Sequence, residues 1–239
     1  MANEHYHLLC ALEGLREFGS PPPIGKSAFM AKVKDCEGPE AAVEALLLGD
    51  DLLEREAVLS GEIEAEEADL AVLPASGASD GPPFPPYLNI HESRTGDRSH
   101  SAAVDATWEA YFYHVTRMAK AFKSRFLTRW VGYEVGFRNA MVRTRAEKLG
   151  LDAGPYLVAE ELGDPSSEFE RELEQWKQAE NPLEGVRYLE QSRWEWLTEQ
   201  EPWYEFTDDE VLAYGARLLV LVRWHRITRE SPAGNGETG

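Results

Sequence analysis

Asp50, Asp51 and Glu54 stand together in the run GDDLLE, and they are the first residues in the chain whose types and spacing suit chemistry. Carboxylate oxygens converging on one ion, completed by substrate phosphates, hold Mg²⁺ for diphosphate chemistry. Such a site needs a second acidic motif facing the first from another long helix, and no such motif stands at a comparable spacing. The same letters also read as a capped helix start, where the helix dipole favours aspartate. The six histidines, at 5, 7, 91, 100, 114 and 225, are scattered, with no i,i+4 pairing to another ligand. Cys10 and Cys36 lack metal-ligand spacing and catalytic context. No phosphate-cradling glycine loop and no Gly-x-Ser-x-Gly elbow occurs. The expectation is a protein that is not an enzyme, with no catalytic, cofactor-binding or metal-binding residue and no cofactor. A carboxylate-metal helical-bundle enzyme built on Asp50, Asp51 and Glu54 is the alternative.

The bulk composition bounds what such residues can serve. A chain of 239 residues, 43% apolar with seven Trp, supplies a sizeable core for one large domain or two small ones. Its net charge of −19 disfavours nucleic acid, which is bound through clustered Lys and Arg, and favours recognition of basic surfaces. Two cysteines imply no disulfide framework and suit a reducing compartment. MANEHYHLL has neither a basic leader nor a long apolar stretch, and no apolar run reaches the ~20 residues of a spanning helix. No direct membrane insertion is expected.

The elements that must position these residues are helical. Residues 107–149 contain no proline, and Trp108, Phe112, Val115, Ala119, Phe122, Phe126, Trp130, Tyr133, Phe137 and Met141 recur at steps of three and four. That spacing predicts one long helix with a single apolar stripe. Gly132 and Gly136 are the places for a bend or a close helix approach. Between 117 and 148 nine basic residues face only Glu134 and Glu147, an excess of nine minus two, +7. Glu134, Arg138 and Asn139 flank the stripe and read as a structural polar network, with Glu134 and Arg138 spaced to pair along the helix.

Around this spine, the sequence predicts a short apolar element at 5–12, a helix N-capped by Ser27, a helix from Pro39 ended by Gly49, and a further piece capped by Asp50. It predicts a short helix over 155–162, another opening at 164–165 with Ser167 and Glu170 in capping-box spacing, one after Asn181-Pro182, and a last one after the box Thr207-Asp208-Asp209-Glu210. No alternating strand pattern appears, so the fold class is all-α: an irregular multi-helix body organised around one long central helix. The parts are a small helical region at 1–73, a Pro/Gly/Ser-rich loop or linker at 74–104, a helical body at 105–230 and a disordered tail at 231–239.

HYHLLCALEGL with LLLGDDLLEREAVLSGE, YEVGFRNAMVRTRAEKLGLD, and YLEQSRWEWL with FTDDEVLAYGARLLVLVRW together resemble a bacterial family encoded alongside V-type (A/V-type) ATPase subunits. That family is distantly similar to the ATPase's C subunit (d in eukaryotes), an all-helical adaptor. The resemblance implies the same helical fold and a non-enzymatic adaptor subunit coupling the rotor shaft to the membrane ring. It implies other ATPase subunits as partners and a cytoplasmic place, peripheral to the inner membrane. Arg117, Lys120, Lys123 and Arg125 are the candidate partner-binding residues, because they cluster within about two and a half turns. A free-standing regulatory binding module is a further alternative.

Overall fold

The structure, a computed structural model, describes residues 5–73, 88, 100–200, 202 and 204–230. Eight α-helices occur there: α1 (Tyr6–Ala11), α2 (Lys26–Asp35), α3 (Glu40–Ser60), α4 (His100–Phe122), α5 (Arg125–Leu149), α6 (Glu170–Gln178), α7 (Pro182–Gln200) and α8 (Asp208–Glu230). No strand is found among the described residues. The fold is an irregular all-α bundle. Of the loop expected at 74–104, residues 100–104 instead begin α4, and the rest, Leu88 apart, lies outside the described residues, as does the expected tail.

The expected single central helix is two helices. α4 ends at Phe122, Lys123 takes the left-handed region at φ +54°, and α5 runs back antiparallel, bringing Arg138 over Trp108 at 4.9 Å. Neither glycine nor proline marks the turn. Ser124 caps α5 by accepting from the Leu127 amide at 2.9 Å. Asp209, from the start of α8, accepts from the Arg125 and Phe126 amides at 3.1 Å and from the Ser124 hydroxyl at 2.5 Å. The orphan amides of the new helix are thus satisfied by a side chain distant in sequence, which local spacing cannot reveal.

The turn closes like two others in the chain. Ser124 N donates to Ala119 O at 2.9 Å, as Leu151 N donates to Ala146 O past Gly150 and Glu62 N to Ala57 O past Gly61. Glycine carries the left-handed residue in both of those cases, at φ +67° and +75°. Lysine there bears the Cβ strain that glycine avoids. Lys123→Gly is therefore expected to raise stability by about 0.5–1 kcal/mol after the entropy cost of glycine. A urea-unfolding midpoint above wild type is the check, and an unchanged or lower midpoint speaks against strain at this turn.

The centre of the bundle is α8, which packs against α2, α3, α5 and α7. Every residue from Val211 to Leu221 is buried, the pattern of a helix apolar all round. Gly215 permits the approach of α2 and α3: a Cβ there would meet Phe29 Cε1 at 2.9 Å and Leu46 Cδ2 at 3.1 Å. Gly132 and Gly136 mark close approach too, to Asp164 and Phe169, within an α5 that continues unbroken.

Several boundaries differ from expectation. α2 is capped by Gly25, so Ser27 is internal. α3 continues through Gly49, and Asp50 is mid-helix rather than a cap. In place of a helix over 155–162 stand two single 3-10 turns, Gly154–Tyr156 and Glu160–Leu162. α6 starts at Glu170, because Asp164 spends its carboxylate on a local turn with Ser166. At α8, Glu210 accepts from the Tyr204 and Phe206 amides, and the Thr207 hydroxyl, buried, has no partner. Asn181 does cap α7 as expected, through the Glu184 amide at 2.9 Å.

Among the described residues no helix is long and apolar enough to cross a membrane. The expected peripheral placement at the inner membrane, and the membrane-complex setting that went with it, thus have no membrane-crossing helix among the described residues to rest on and are set aside.

Candidate functional site

Because α3 is continuous, Asp50, Asp51 and Glu54 project to one side of it, and the first residue of α2 meets them there. Lys26 is 0% exposed, and its Nζ donates to Asp50 Oδ2 at 2.6 Å, Glu54 Oε1 at 2.8 Å and Asp51 Oδ1 at 3.3 Å. The ammonium occupies the point at which a divalent ion would sit in the carboxylate-metal alternative. From α8, Arg226 reaches Glu54 at 2.5 Å and Arg223 reaches Asp50 at 3.3 Å. Three carboxylates therefore face three cations. The remaining oxygens take backbone amides: Asp51 accepts from Ala71, Val72 and Leu73, and Glu54 from Asp69 at 2.6 Å. Buried charges are tolerated when their lone pairs and protons are used in this way.

The electrostatics are uneven. Burial opposes the charge of Lys26, but the pull of Asp50, Glu54 and Asp51 is larger and holds the ammonium above the usual lysine range. Burial also opposes the charge of Asp50, and Lys26 and Arg223 overcome it, so its carboxyl lies below the usual range. At Asp51 and Glu54 burial wins over Lys26 and pushes both carboxyls up.

The network continues across the bundle. Arg223 also reaches Glu190 of α7 at 3.2 Å; Glu190 takes Arg193 at 2.8 Å, and Arg193 donates to Glu134 of α5 at 2.8 Å. Lys26, Asp50, Arg223, Glu190, Arg193 and Glu134 thus form one chain of charge through α2, α3, α8, α7 and α5. Lys26, Glu190, Arg193, Arg223 and Arg226 were not expected as a set. Their signal in the sequence is a cation embedded in apolar letters, as in IGKSAFM and LLVLVRW, which must find an acid if its helix is buried.

Glu134, Arg138 and Asn139 all bond other elements rather than each other. Glu134 takes Arg193, Arg138 pairs with Asp105 of α4 at 3.1 Å, and Asn139 exchanges two bonds with the Val158 backbone. Arg117, Lys120, Lys123 and Arg125 gather at the α4–α5 turn, exposed, and none forms a side-chain ion pair among the described residues.

Between α3 and the α4–α5 hairpin lies a cleft of about 540 Å³. Its inner end is the ion network, through Asp50, Arg223, Arg193 and Glu134; its walls are Trp108, Tyr111, Phe112 and Trp130; Arg145, Leu149, Leu151 and Tyr156 stand around it on the α5 side. Leu149, Leu151 and Tyr156 are exposed. Tyr111 is buried, and that burial pushes its phenol well above the ordinary range, so it stays neutral. The arrangement can bind, through an apolar wall and guanidinium donors. Among the described residues that line it, no nucleophile is paired with a base. Comparison with family models, with curated proteins and with solved structures gives no match to this chain.

Proposed function

We propose that this chain is a non-enzymatic adaptor that docks through the basic α4–α5 turn onto an acidic surface of a protein partner. One observation carries the reading. In a chain of net charge −19, Arg117, Lys120, Lys123 and Arg125 stand together, exposed, without an ionic partner among the described residues. The other strong charges that meet at one point, Lys26 with its three carboxylates, are used within the fold. The turn is held from behind by Asp209, so it is offered in a fixed shape, and preorganised surfaces lose less entropy on docking. The sequence resemblance supplies the partner to test first, the rotor-shaft subunits of a V-type ATPase, and with it the C-subunit-like helical fold as part of this proposal.

Charge complementarity chiefly raises on-rate and specificity. Lys120→Glu with Lys123→Glu is expected to abolish most co-purification with the shaft subunits while Tm stays within about 2 °C of wild type, the usual range for surface changes. Equal recovery of partner by the double variant would sink the reading. Joint loss of stability and binding would show that the lysines serve the fold.

A further inference from the structure

We infer that the cleft between α3 and the α4–α5 hairpin is a binding site for a small organic carboxylate with an apolar body. The inference is independent of the docking surface at the turn. A volume of about 540 Å³ lies within the range of small-molecule sites, which combine apolar walls with a few placed polar groups. The walls here are Trp108, Phe112 and Trp130, surfaces that accept an aromatic ring or an acyl chain alike.

The charge of the ligand follows from which guanidinium donors are already spent. Arg193 and Arg223 are engaged by Glu134, Glu190 and Asp50. Arg138 and Arg145 are not used up. Arg138 gives one Nη2 to Asp105, and its Nε is buried without a hydrogen-bond partner. Arg145 is exposed, lies over the Trp176 ring at 5.4 Å, and forms no ion pair among the described residues. The two are seven residues apart on α5, two turns along the same face, and both line the cleft. An orphaned donor on a cation is costly, and a carboxylate is the acceptor that a guanidinium fork matches best. Arg138 is 28% exposed and lines the cleft, so the donor it has to offer such an acceptor is Nε, its Nη2 being given to Asp105. A cationic ligand would be repelled by both guanidinium groups, and a neutral one without an acceptor would leave the Arg138 Nε unsatisfied.

The test uses the full chain with four probes: 1-naphthoate, dodecanoate and the neutral amide of each, read by calorimetric titration and by quenching of Trp fluorescence. At least one carboxylate is expected to bind, and its amide to bind at least tenfold more weakly, since a charge-assisted hydrogen bond is at stake. Binding of naphthoate alone identifies an aromatic acid, of dodecanoate alone an acyl chain, and either result supports the site. Arg145→Gln, at an exposed position, is expected to weaken the binding carboxylate about tenfold without lowering Tm, and Arg138→Gln to weaken it by a similar factor. Failure of both carboxylates at millimolar concentration, equal binding of acid and amide, or unchanged affinity in both variants would overturn the inference.

Discussion

Replacing Lys26 by Met is expected to destabilise the protein by about 3–5 kcal/mol, the cost of removing one partner from a buried ion set. For a chain of this size that is a fall in Tm of roughly 6–20 °C. The substitution keeps the length and apolar character of the side chain, so the effect isolates the charge. Asp50 and Glu54 retain Arg223 and Arg226, but Asp51 loses the one side-chain cation it has among the described residues and keeps the amides of 71–73. The double variant Lys26→Met, Asp51→Asn should therefore be more stable than Lys26→Met alone, because the added Asn removes the uncompensated charge and still offers an oxygen to those amides. Thermal unfolding of wild type and the two variants reads this directly. A Lys26→Met protein within 1 kcal/mol of wild type would mean that the ammonium contributes little beyond its own desolvation.

Gly49→Ala is expected to cost about 1–3 kcal/mol, although the change from glycine to alanine inside a helix ordinarily gains stability. A Cβ at that position would stand 2.8 Å from Tyr111 Cζ and closer still to its hydroxyl. Tyr111 is buried and its ring packs on Trp108 and Phe112, so it must give up part of that packing to admit the Cβ. Gly14 is the control, since nothing lies within 4 Å of a Cβ there. Gly14→Ala should leave the urea midpoint where it is while Gly49→Ala lowers it, and Gly49→Ala in a Tyr111→Phe background should cost less. Equal midpoints for the two alanine variants would contradict the close packing of α3 on α4.

The all-α class was legible in the absence of alternation and in punctuation such as Asn181-Pro182 and Gly150. The α4–α5 turn was not. Its left-handed residue is a lysine, and part of its cap is Asp209, 85 positions from Ser124. An unbroken helix would set Trp108 and Arg138 ~45 Å apart at 1.5 Å per residue, whereas the guanidinium lies 4.9 Å from the ring. The cleft owes its existence to that reversal, and so it could not be read from spacing. Asp50, Asp51 and Glu54 were visible as convergent carboxylates, but the group on which they converge is Lys26, 24 positions before Asp50. Nothing in local patterning selects one lysine among many. Gly49 misled because glycine usually ends a helix; here it makes room for Tyr111.

Docking of the exposed basic turn on an acidic protein surface, as proposed, can be measured by titrating the purified chain against purified V-type ATPase rotor-shaft subunits at low and high salt. Saturable binding that weakens as salt rises is expected, because exposed charges are screened. Lys120→Glu with Lys123→Glu is expected to remove most of that binding from a protein with wild-type Tm. Binding of the double variant indistinguishable from wild type at both salt concentrations would contradict the proposed docking.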